Sequence, residues 1–143
     1  MEDVEIHIVH STKERDQTFD IRRSVFMEEF HVSLELEFDG LDDEAVHFIL
    51  LYKKKPIGCA RVRTTEKGVK LERIAILKEY RGKGFGTCIM NYLLDYCHDK
   101  NNRIVYLYSQ IFAAGFYEKF HFQPQGEIFI EAGIQHIAME RIL

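Results

Sequence analysis

Apolar and polar positions alternate at the start of the chain, where Val4, Ile6 and Ile8 are separated by Glu5 and His7; this period of two predicts a half-buried strand. Ser11 then opens an S-x-x-E pattern with Glu14, a capping box, and Phe19, Ile21, Val25, Phe26 and Phe30 give the following helix or helices an apolar face. Leu34, Leu36 and Phe38 alternate with Glu35, Glu37 and Asp39 before an Asp39-Gly40 turn. That acidic stretch reads either as a solvated face or as the border of a site for an amine. Ala45 to Tyr52 and Ile57 to Arg63 form a hairpin turning at Lys53-Lys54-Lys55-Pro56, and Val69 to Leu77 adds a third antiparallel strand after a turn over residues 64–68. Ile89, Met90, Leu93, Leu94 and Cys97 recur at helical spacing. Arg103 to Tyr108 reads as a strand and Ile111 to Phe120 as a short helix. After Pro124 and Gly126, Ile128 to Glu131 and Ile134 to Ile142 make a last hairpin around Ala132-Gly133. The order predicts an α/β fold (α+β mixed), a single domain over residues 1–143. Its core is one twisted, mixed, mostly antiparallel sheet of six to seven strands with about four helices.

The pattern is least ordinary where the third strand runs into the long helix. Between them lie Arg81, Gly82, Lys83, Gly84, Phe85, Gly86 and Thr87, with glycine at every second position and two cations beside them. A helix N-terminus presents unpaired N–H groups and the positive end of its dipole, so anions bind there. Glycines bring that backbone close to a phosphate, and Arg81, Lys83 and the Thr87 hydroxyl add donors. The dinucleotide pattern G-x-G-x-x-G fails, because Thr87 or Ile89 stands at its third glycine. The phosphate-loop pattern fails as well, since no Gly-Lys-Ser/Thr follows at the required distance.

Arg-Gly-x-Gly-x-Gly behind an apolar strand resembles motif A of the GNAT superfamily of acyl-CoA-dependent N-acyltransferases. The order of elements is similar across essentially the whole chain. A second likeness is the segment Ala114-Gly115-Phe116-Tyr117-Glu118-Lys119-Phe120-His121-Phe122, with His121 where the family usually has glycine. Gly133 to Met139, with Arg22, Val25, Phe26, Glu28 and Glu29, resembles a small stand-alone bacterial branch, the YjcF-like proteins.

The resemblance implies transfer of an acetyl group from acetyl-CoA to a primary amine, with coenzyme A as co-substrate and no metal. Residues 81–87 would hold the pyrophosphate. The backbone of Ile74, Ala75 and Ile76 would pair with the pantetheine arm, and Gln110 would add a hydrogen bond. Tyr117 is the candidate acid for the leaving thiolate. Glu72 is the leading base, placed on the face of Ile74 and Ile76 by period-two counting; an ion pair with Arg61 or Arg63 is its structural alternative. Glu28, Glu131 and His136 are further candidate bases, and Arg22, Arg61 and Arg63 candidate acceptor contacts. A non-catalytic coenzyme A-binding module is the rival reading.

Bulk properties narrow the partners. A net charge of -4 disfavours nucleic acid and anionic membranes and tolerates a cationic small molecule or peptide amine. The acidic Met1-Glu2-Asp3-Val4-Glu5 start carries no secretory core, no apolar run reaches membrane-spanning length, and three cysteines without C-x-x-C spacing suit a reducing cytoplasm. An exposed edge strand leaves a homodimer open.

Overall fold

The structure, a computed structural model, describes residues 1–100 and 103–143. Among these residues seven strands run through one sheet: β1 (Val4–Ile8), β2 (Val46–Tyr52), β3 (Lys55–Thr64), β4 (Val69–Ile76), β5 (Ile104–Gln110), β6 (Gln123–Glu131) and β7 (Ile134–Ile142). They lie in the order β1-β2-β3-β4-β5-β7-β6, antiparallel at every step except β4 to β5. The helices are α1 (Thr12–Arg22), continued by a π-helical stretch Arg23–Glu29, then α2 (Leu34–Glu37), α3 (Phe85–Asp99) and α4 (Ala114–Glu118). The expected sheet, with about four helices, is thus observed.

Each face of the sheet has its own core. α3 lays Phe85, Ile89, Met90, Leu93, Leu94 and Cys97 against Phe48, Leu50, Ile57, Val62, Val69, Leu71, Val105 and Leu107, and Phe116 and Tyr117 of α4 join them with Phe120 of the turn that follows. On the opposite face Ile21 of α1 and Val25 of the π-helical stretch cover Cys59 and Ala75.

Local departures from the sequence reading have physical causes. Ser11 caps α1 by accepting the Glu14 N–H, but the Glu14 carboxylate turns to His7 at 2.6 Å, so the capping box is half made. The alternating acidic stretch is a helical turn, not an extended segment: Ser33 caps it by accepting the Leu36 N–H, and this folds Glu37 inward. The β2–β3 turn is only two residues, Lys53 and Lys54, both with positive φ, so β3 starts at Lys55. β6 begins at Gln123, before Pro124 and Gly126, and absorbs them at the sheet edge through a register shift between Gln125 and Phe129.

The departure that shapes the site is in β4. Arg61 pairs with Glu72 and Cys59 with Ala75, so one residue of β3 faces two of β4, and Arg73 sits in this bulge with a φ of +52°. A bulge reverses the inward-outward count. Glu72 therefore shares the α1 face with Ala75, while Ile74 and Ile76 pack toward α3, which corrects the period-two placement of Glu72. β4 also leaves β5, and does so ahead of the bulge. The two are paired only at Val69–Val105 and Lys70–Tyr106, and their C-terminal halves part.

Candidate functional site

A cavity of about 480 Å³ fills the gap between the parted strands. It is lined from β4 by residues 71–76, from β5 by Leu107 to Gln110, and from α4 by Tyr117 on one face. On the other face α2 and the π-helical stretch contribute Val25, Phe26, Glu35, Leu36 and Glu37, and the β6–β7 hairpin contributes Glu131, Ile134 and His136. The opening thus passes through the sheet and joins its two faces.

The glycine loop stands at the end of β4. Gly84 caps α3 with a φ of +91°, and Gly82 has a φ of +74°, values that only glycine adopts without strain. Gly86 has ordinary backbone angles, but a Cβ there would press on the Phe116 ring at 3.3 Å, which would have to give by a few tenths of an ångström. Gly82, Lys83, Gly84 and Thr87 are exposed, and Phe85 is buried in the core, so the loop offers its backbone and the start of α3 rather than a walled pocket. Lys83 lies over Tyr80 at 5.8 Å. Arg81 is already engaged: it donates to the Ile76 carbonyl at 2.9 Å and grips Glu29 through two bonds of 2.7 Å. This occupies one of the two lone pairs of the Ile76 carbonyl.

On the α1 face a network of charges, part of it lining the cavity and part buried behind it, backs the opening. Arg22 donates to Glu37 at 2.9 Å and to Asp42 at 2.7 Å, and Arg61 to Glu72 at 2.6 Å, Asp39 at 2.9 Å and Asp42 at 3.0 Å. Arg63 reaches Glu72 at 2.6 Å and Lys70 reaches it at 3.3 Å. Arg73 spans the gap to α2, donating to the Leu36 and Glu37 carbonyls at 3.1 and 2.9 Å and pairing with Asp39 at 3.3 Å. Burial opposes charge on these carboxylates, yet the guanidinium groups around them outweigh it and hold Asp39, Asp42 and Glu72 below the usual carboxylate range. Four Arg and one Lys thus surround four carboxylates, with Glu72 shared by three of the cations, so the network keeps one positive charge in excess.

This arrangement sorts the expected residues. Arg22 and Arg61 are each 1 % exposed and do not line the cavity, so they are structural partners rather than acceptor contacts. Glu28 is exposed on the π-helical stretch and outside the cavity. Glu72 does line it, but as the ion pair with Arg61 and Arg63, and a carboxylate held ionised by three cations has little basicity to offer. Arg63 and Glu131 line the cavity, as does His136. Gln110 lies opposite His136 in the β5–β7 register, on the α1 face, not on the α3 face where a cofactor arm would run.

Among the described residues lining the cavity, Tyr117 and His136 keep free chemistry. The Tyr117 hydroxyl borders the cavity from α4, bonds to none of the described residues, and is pushed up to about 12 by burial. His136 is 8 % exposed and stacks on Phe129. Its Nδ1 lies 2.8 Å from the Ile134 carbonyl oxygen, which accepts only from an N–H; in the neutral ring Nε2 then holds the lone pair. The residues missed by sequence reading are Lys70, Tyr108, Phe112 and above all Arg73. No spacing rule marks Arg73, because its role comes from the bulge it occupies.

Comparison with known proteins agrees with this geometry. The acetyltransferase (GNAT) domain family matches residues 9–143. The Bacillus subtilis protein YyaT is 38% identical over 141 residues, covering 95% of each chain. The uncharacterized N-acetyltransferase YjcF of the same organism is 34% identical over 133 residues, covering 92% of this chain and 95% of its own. A GNAT family acetyltransferase from Elizabethkingia anophelis, solved with acetyl-CoA bound, superposes with a TM-score of 0.78 at 16% identity over 100% of both chains, a likeness of fold alone. With motif, sheet and relatives in accord, the chain belongs to the GNAT acetyltransferase family.

Proposed function

We propose that the protein is an N-acetyltransferase that moves the acetyl group of acetyl-CoA to a primary amine by direct attack on the thioester. The observation that carries this reading is the parted β4–β5 gap with the glycine loop at its end and the Tyr117 hydroxyl across it. The acetyl-CoA held by the Elizabethkingia fold supports the same choice of donor. Acetyl-CoA enters from the α3 face, its pyrophosphate on the backbone of residues 82–87 and its arm along Ile74 and Ala75. The cation of Arg81 reaches the phosphates only by giving up Glu29.

The acceptor approaches through the α1 face. Its nitrogen bonds to the acetyl carbon, the C–S bond breaks, and the thiolate takes a proton in the hydrogen bond from Tyr117. The proton lost by the amine goes to His136 Nε2, directly or through water, because Glu72 is committed to its cations. The test is release of coenzyme A thiol from acetyl-CoA in the presence of amines. Tyr117→Phe is expected to slow turnover about 100-fold or more with acetyl-CoA affinity kept. Turnover unchanged in that variant removes Tyr117 from the reaction. Binding of acetyl-CoA with no transfer to any amine leaves a coenzyme A-binding module instead.

A further inference from the structure

We propose that the acceptor is an amine on an apolar body without a carboxylate, an alkylamine or arylalkylamine, seated in the α1-face half of the cavity. The proposal rests on the acetyl-transfer reading and adds the substrate class. It comes from what the lip of the cavity exposes and from what its charges are already doing.

The lip is apolar where a surface is ordinarily polar. Phe112 is 72% exposed, Leu36 55% and Tyr108 37%, and all three line this one cavity from different elements. Phe112 stands 5.9 Å from Phe30, so an aromatic pair bridges the turn before α4 and the end of the π-helical stretch beside the opening. Ile134 and Val32 continue the apolar lining. Exposed apolar side chains scattered singly need no explanation, but three around one opening mark a surface that a ligand covers.

The charges select the sign of that ligand. Each cation lining the cavity has a carboxylate: Arg63 and Lys70 share Glu72, Arg73 holds Glu37 and Asp39, and Arg81 holds Glu29. A carboxylate on the acceptor therefore meets no unengaged cation among the described residues lining the cavity. Glu35 and Glu131 line it from opposite sides, and neither is ion-paired to a described residue. They draw an ammonium group toward the opening. Being exposed they add little binding on their own, so the apolar body supplies most of the affinity. A polyhydroxylated amine has nothing comparable to cover the aromatic lip.

The test is coenzyme A thiol release with matched acceptors: phenethylamine against phenylalanine, a series from propylamine to hexylamine, and spermidine and glucosamine. Phenethylamine is expected to exceed phenylalanine at least tenfold in kcat/KM, and the alkylamines to gain about fourfold per methylene until the lip is covered. Phe112→Ser, at an exposed position, should cut kcat/KM for phenethylamine about tenfold with acetyl-CoA affinity unchanged. If phenylalanine, spermidine or glucosamine matches or exceeds phenethylamine, the substrate class is wrong and the acetyl-transfer reading stands. If no amine releases coenzyme A while acetyl-CoA binds, the reading itself has failed and the proposal falls with it.

Discussion

Replacing Glu72 by Gln separates a structural carboxylate from a catalytic base. The side chain is 7% exposed and receives Arg61 Nε at 2.6 Å, Arg63 at 2.6 Å and Lys70 at 3.3 Å. Gln keeps the shape and one accepting oxygen, removes the charge, and turns an NH₂ toward a guanidinium group. Arg61 retains Asp39 and Asp42, so the loss falls at the lower end of the range for breaking a buried pair, about 3 kcal/mol. With a urea slope of about 2 kcal/mol per molar, the unfolding midpoint should drop by about 1.5 M. The assay is urea unfolding followed by circular dichroism, paired with coenzyme A release by the folded variant at low temperature. A lower midpoint, with turnover per folded molecule largely kept, is the expected result. An unchanged midpoint together with a rate loss of about 100-fold would refute the reasoning and return Glu72 to the role of base.

Further outcomes follow from other parts of the structure. Because burial pushes the Tyr117 hydroxyl to about 12, it stays protonated in alkaline buffers, and kcat should show no alkaline fall up to about pH 10; a fall near the ordinary tyrosine value would mean the hydroxyl is not so buried in the working enzyme. His47 is held below its ordinary value by burial, so the unfolded chain takes up its proton first. Stability measured by thermal melting should therefore decline as pH falls below about 6.5, and more steeply below about 4.5, where the carboxylates Asp42 and Glu72, depressed by their Arg partners, protonate first in the unfolded chain. Melting that is flat from neutral pH to about pH 5 contradicts the His47 assignment, and melting that stays flat to about pH 3 contradicts the carboxylate one. Gly58→Ala places a Cβ 2.7 Å from Ile76 Cδ1 and 3.2 Å from the Ala75 carbonyl oxygen. This overpacking at the cavity strand should cost about 1–3 kcal/mol by urea unfolding, and an undiminished midpoint would show that β4 yields.

The sequence made the sheet legible because its strands alternate or run apolar at the right lengths, and because Asp39-Gly40 and Ala132-Gly133 punctuate it. The glycine loop was legible for a sharper reason: Gly82 and Gly84 hold positive φ, which demands glycine, and Gly86 lies close against Phe116. What stayed hidden lies around Arg73. A one-residue bulge is invisible to period-two counting, yet it sets Glu72 on the face opposite Ile74 and Ile76 and aims Arg73 at α2. The charge network was hidden too, since Arg22, Glu37, Asp42 and Arg61 are scattered in sequence and only folding sets them within 3.0 Å of one another. His136 was legible as a candidate, but the carbonyl that fixes its free nitrogen was not.

The central claim is that the glycine loop and the parted strands hold acetyl-CoA. Isothermal titration of the purified protein with acetyl-CoA, with NAD and ATP at the same salt, tests it most directly, alongside Gly84→Glu, which sets a carboxylate at the start of α3 where φ is +91°. Saturable binding of acetyl-CoA alone, abolished in Gly84→Glu, is the predicted result. Absence of binding by the parent protein, or equal binding by the variant, would contradict it.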